Sequence, residues 1–168
     1  MKRITIITAL AIMLSVFIGA PAARADHHGK IAGKFFLQVE ANGELWYILP
    51  DTGERYLINN PKEAMNLVKL TGLGISNMHL SHIEAADGST SGPYDMKLTK
   101  RLAGKFLLQV EDKGQAWYVN PMDMKRYYLG RPDDAFKLFA SIANGVSNET
   151  AVTIPEAKSI VDVAVGAG

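Results

Sequence analysis

The chain has 168 residues, with 18 basic and 17 acidic side chains, four histidines and no cysteine. Without cysteine there is neither a disulfide framework nor a thiolate metal site, so stability must come from packing. The near balance of charge gives no reason to expect nucleic acid or an anionic membrane as partner.

The chain opens as an address. Lys2-Arg3 supplies positive charge, and Ile4 to Ala20 is apolar except for Thr5, Thr8, Ser15 and Gly19. Ala23-Arg24-Ala25 then places small residues at both positions a signal peptidase reads. Residues 1–25 are expected to be a signal peptide, since the run is marginal against the roughly 20 residues of a membrane anchor. The mature chain should begin at Asp26, carry no cysteine for a lipid anchor, and have no membrane span after cleavage. Loss of Lys2, Arg3 and Arg24 leaves 15 basic against 17 acidic residues, a net charge of −2. The expected location is extracytoplasmic, periplasmic or secreted.

That cleavage would start the chain Asp26-His27-His28, with a histidine in third place. The free amine, two deprotonated amides and the His28 ring then offer four nitrogens in a plane, which suits Cu(II) or Ni(II). Asp26, His27 and His28 are the candidate metal residues, and they require no fold.

From Ala32 the chain says the same thing twice. With an offset of 71 and no gap, Ala32–Ile83 matches Ala103–Ile154 at 21 of 52 positions, including the Trp46/Trp117, Tyr47/Tyr118, Arg55/Arg126 and Pro61/Pro132 pairs. A duplicated unit of about 50 residues points to a repeat architecture. A unit that small buries little surface, so the copies are expected to pack on each other or be joined as beads.

Phe35, Leu37 and Val39 alternate with Gln38 and Glu40, the pattern of a half-buried strand. Asn42-Gly43 is a hairpin signal, weaker in copy two as Lys113-Gly114. A second strand runs through Trp46-Tyr47-Ile48, Pro50-Asp51-Thr52-Gly53 reads as a turn, and a third strand covers Arg55 to Ile58. Asn60-Pro61-Lys62-Glu63 then starts a helix, with Asn60 as N-cap and Pro61 in first place. Arg131-Pro132-Asp133-Asp134 does the same in copy two. Ala64, Leu67, Val68 and Leu70, matched by Ala135, Leu138, Phe139 and Ile142, form the apolar stripes of those helices. Gly72 and Gly145 stand near their ends, and Ser76-Asn77 and Ser147-Asn148 each open a short helical turn.

The expected fold is thus α+β: two tandem copies of a small three-stranded antiparallel meander followed by a helix. Repeat one spans residues 31–84 and repeat two 102–155. Residues 85–101, rich in turn formers up to Pro93, read as a flexible linker, and 156–168 as a tail.

Gly104-Lys105-Phe106-Leu107-Leu108-Gln109-Val110-Glu111, Ala116-Trp117-Tyr118-Val119-Asn120-Pro121 and Lys125-Arg126-Tyr127-Tyr128-Leu129-Gly130-Arg131-Pro132 resemble a tandem repeat of bacterial exported and envelope proteins. The closing G-L-G-I-S-N of that pattern stands intact in copy one at Gly72–Asn77. The resemblance implies an extracytoplasmic accessory module without an established catalytic role. Copy two departs from it at Met122-Asp123-Met124, where the turn glycine is missing and a longer or strained turn is expected. Copy one departs at Leu57-Ile58-Asn59-Asn60, which lacks the second tyrosine and the glycine-arginine pair.

Trp46, Tyr56, Trp117, Arg126, Tyr127 and Tyr128 are the candidate ligand-binding residues. Their rings suit stacking on sugars, with arginine to bond hydroxyls or carboxylates; the competing reading is packing within or between the copies. Arg55 and Arg126 recur with Glu40 and Glu111, which suggests a cross-strand ion pair. His79 and His82 share a helical face, but copy two has Thr150 and Thr153 there, so surface histidines are favoured over a metal site. G-x-S-x-G, H-E-x-x-H, a cysteine nucleophile and a phosphate loop are all missing, and Asp133-Asp134 and Glu63 suit helix starts. No enzyme is expected. The expected function is a non-catalytic binding or structural module of the bacterial envelope, with a cell-wall glycan or an envelope surface protein as partner. The alternative is a periplasmic Cu(II)/Ni(II)-binding protein acting through its mature N-terminus.

Overall fold

The computed structural model describes residues 29–40 and 42–157. The described residues form an α+β fold with two four-stranded sheets. In copy one β1 (Phe35–Gln38), β2 (Leu45–Ile48) and β3 (Arg55–Ile58) are followed by α1 (Pro61–Thr71), β4 (Leu73–Ile75) and α2 (Asn77–Ser81). A helix α3 (Met96–Leu102) leads into copy two. There β5 (Phe106–Gln109), β6 (Ala116–Asn120) and β7 (Lys125–Tyr128) precede α4 (Pro132–Ile142), β8 (Asn144–Val146) and α5 (Asn148–Val152).

The sheets differ from the three-stranded expectation in one decisive respect. Each acquires a fourth strand from the other copy. The first sheet runs β3-β2-β1-β8 and the second β4-β5-β6-β7. The borrowed strands lie parallel to their neighbours, with Leu37 opposite Gly145 and Gly74 opposite Leu108. The other pairings are antiparallel. A parallel pair needs a long crossover, and here the chain from one copy to the other provides it.

Strand alternation sends Leu45 and Tyr47 to one face and Trp46 and Ile48 to the other, and all four are buried. The inner faces of both sheets share one core. Phe35 and Tyr47 meet Phe106 and Tyr118 there, beneath Leu67 and Val68 of α1 and Ala135 and Phe139 of α4. Phe139 stacks on Phe35 with ring centroids 4.3 Å apart. The outer face of the second sheet, including Ile75 of the borrowed β4, is covered by copy one's Leu80 and Ile83 together with Leu98 of α3. The outer face of the first sheet, including Val146 of the borrowed β8, is covered by copy two's Ile154. Each copy therefore closes the other.

At the centre the two backbones touch. Gly33 and Gly104 have φ of 72° and 79°, and a Cβ built on Gly33 would lie 2.2 Å from the Gly104 Cα. The Tyr47 hydroxyl donates to the Gly104 carbonyl at 2.5 Å, and Tyr118 donates to Gly33 at 2.6 Å. Burial pushes both phenols well above their usual range. A raised phenol pKa means that the unfolded chain ionises first, so stability is intact below about pH 10 and falls above it. We expect a loss of about 1.4 kcal/mol per tyrosine for each pH unit above 10. Urea midpoints from pH 8 to 11 check this, and a flat profile would contradict it.

The residues assigned to a linker are structured. Ala85 N–H donates to Thr90 Oγ1, Gly92 N–H to the Ser81 carbonyl and Asp95 N–H to the His82 carbonyl. The Asp95 carboxylate then accepts from Leu98 N–H and caps α3. The turn at Met122-Asp123-Met124 is strained as its sequence suggests, because Met124 takes φ 60° where copy one has Gly53. The expected arginine–glutamate pairs do not form. Glu40 and Glu111 instead accept from the backbone N–H of Asn148 and Asn77, the first residues of the other copy's short helix. Arg55 pairs with Glu156 at 3.1 Å.

Candidate functional site

Each outer sheet face carries the same construction. Trp46 and Trp117 sit at matching places on β2 and β6, and each indole N–H donates to its own copy's Gln38 or Gln109 at 3.2 Å. The amide of each glutamine donates onward to Asn148 or Asn77 of the other copy, at 2.7 and 2.6 Å. The Arg55 and Arg126 guanidiniums lie over the two indoles, 4.3 and 4.5 Å from the ring centroids. These tryptophans and arginines thus clamp one copy to the other.

The six candidate ligand residues do not form one surface. Trp46 is buried on the first sheet, only 6% exposed. Tyr56 and Tyr127 lie opposite the core tyrosines Tyr47 and Tyr118. Tyr56 is half-buried, and burial followed by the charge of Glu63 raises its pKa. Tyr127 donates to the Asp123 carboxylate, the first cause of its raised pKa.

Trp117, Arg126 and Tyr128 do come together on the outer face of β6 and β7. The Arg126 side chain is buried, donates through Nε to the Ile83 carbonyl at 2.9 Å, and has its pKa lowered by burial. Tyr128 lies opposite Trp117 with ring centroids 5.1 Å apart, and it is 52% exposed. In copy one Leu57 takes that register place opposite Trp46. The near-symmetry of the copies therefore breaks where an exposed Tyr128 stands beside a partly buried Trp117.

The structure also holds a cleft that single-copy reasoning misses, because both copies line it. Its volume is about 160 Å³, and its walls include Tyr47, Leu49, Leu70, Leu73 and Phe106. Lys105 and Asp51 stand 3.8 Å apart at its edge. This space suits an apolar group about the size of one ring. A wider depression lies between His79 and Asp95, Lys97, Leu98 and Arg101 near α3.

The remaining chemistry is sparse. His79 Nδ1 meets the Ser76 hydroxyl at 3.0 Å, and Ser81 Oγ donates to the Met78 carbonyl at 2.8 Å. Among the described residues there is no group of three or more potential carboxylate or imidazole metal ligands, and no helix long and apolar enough to cross a membrane. The expected signal peptide, residues 1–25, and the candidate copper or nickel residues Asp26, His27 and His28 lie outside the described residues. No protein-family model, curated protein or solved structure matches the chain.

Proposed function

We propose that this chain is a non-catalytic binding or structural module of the bacterial envelope, acting outside the cytoplasm. We read each copy as a three-stranded meander followed by a helix, repeated in tandem and locked by exchange. Its ligand is a cell-wall glycan, taken by the Trp117–Tyr128 face of copy two. The observation that carries this reading is the exposure of Tyr128 beside Trp117. A half-exposed tyrosine offers its ring to the C–H face of a sugar and its hydroxyl to a ring substituent. Copy one, with Leu57 there, has only the structural half of the arrangement.

The mature chain, residues 26–168, is expected to bind purified sacculi saturably in co-sedimentation. Tyr128→Ala should weaken that binding by about tenfold, the scale of one lost aromatic contact of about 1.4 kcal/mol. Its circular dichroism should not change, because this ring is on the surface. Failure of the wild type to sediment, or unchanged binding by the variant, would sink the glycan reading and send the search to surface proteins.

A further inference from the structure

The contacts between the copies are reciprocal, and residues identical in the two copies make them. Gly33 meets Gly104, the Tyr47 and Tyr118 hydroxyls each donate to the other copy's glycine carbonyl, and Gln38 and Gln109 each reach the other copy's asparagine. Glu40 and Glu111 cap the other copy's short helix through its first N–H. Arg55 N–H donates to the Pro155 carbonyl, as Arg126 N–H donates to that of Glu84. Residues used twice, once on each side of an approximate two-fold axis, are the mark of an isologous interface.

An isologous interface does not record which chain its two halves belong to. We propose that the repeat is a self-complementary docking unit whose partner is a second copy of this chain, with repeat one of one molecule seating on repeat two of another. The occupant would bring the same donors and acceptors: a three-residue parallel strand, a short capped helix, and a glycine carbonyl for the opposing tyrosine. Within one molecule the connection between the repeats raises their effective concentration and favours internal closure. The exposed tip of that connection, Asp87-Gly88-Ser89, takes no part in either sheet. Cutting there removes the advantage and leaves the docking surfaces whole. The inference is independent of any ligand at Tyr128.

The test uses the full mature chain with a protease site inserted between Gly88 and Ser89, cut after folding. Native mass spectrometry should show both fragments travelling as one 1:1 complex. Cut ¹⁵N-labelled and unlabelled proteins, unfolded together in urea and refolded, should yield complexes of which about half pair a labelled fragment with an unlabelled one. Fragments that part on cutting would overturn the proposal. So would refolding that returns the fragments singly, without mixed complexes. Circular dichroism of the cut chain before unfolding separates a failed insertion from a failed interface.

Discussion

Replacing Gly33 by alanine is expected to lower the free energy of unfolding by about 3 kcal/mol or more, from two additive causes. The new Cβ would stand 2.2 Å from the Gly104 Cα and 2.7 Å from its carbonyl oxygen, and both are backbone atoms that cannot swing aside. The residue also has φ of 72°, which disfavours any side chain by about 1 kcal/mol. Gly43 separates the two effects: its φ is 78°, yet nothing lies within 4 Å of the Cβ it would gain. Gly43→Ala should therefore lose only about 1 kcal/mol. Urea denaturation of both variants checks this, and equal losses would mean that the backbones do not meet as described. Against the 5–15 kcal/mol typical of a domain, the Gly33 change threatens the fold itself.

Phe139→Ala should cost about 3–5 kcal/mol, the range for emptying a ring-sized site in a core. Phe139 is fully buried on α4 and touches rings from both copies: Phe35 of copy one, and Phe106 and Tyr118 of copy two. Copy one has Val68 at the matching place, so copy two supplies most of the volume at this point of the shared core. The loss should appear as one shifted transition, because the ring belongs to both halves at once. A variant that melts copy two and leaves copy one's signal unmoved would contradict the shared core.

Local signals made part of this fold legible. Asn60 caps α1 by accepting from Glu63 N–H at 3.0 Å, as the Asn-Pro-x-Glu start suggests. Proline stands first in both long helices. Strands form at Phe35 and Phe106 as expected, but they are buried on both faces, at Phe36 and Leu107 too, where alternation suggested one open face. The borrowed strands carried no comparable signal. Leu73-Gly74-Ile75 and Asn144-Gly145-Val146 are three residues long, and their partners lie in the other copy, so their residues read as helix ends. Helix α3 was hidden for a related reason: its seven residues hold only two buried ones, within a stretch dominated by turn formers.

The candidate site was legible by residue type and not by placement. Successive positions on a strand must face opposite ways, which separates Tyr127 from Tyr128 and Trp46 from Tyr47. Which face stays open depends on what covers the sheet, and each cover arrives from the other copy. The repeated Trp, Arg, Gln and Glu suggested a shared task. That task is joining the copies, a reason that one copy read alone does not contain.

The most direct measurement is equilibrium unfolding of two single-tryptophan proteins, Trp117→Phe and Trp46→Phe. In the first, fluorescence reports copy one through Trp46, and in the second it reports copy two through Trp117. Far-UV circular dichroism follows the whole chain in each. An intertwined fold predicts that fluorescence and dichroism coincide in both proteins, as one cooperative unit must. A fluorescence transition separated from the dichroism curve in either protein would mean that the copies fold independently.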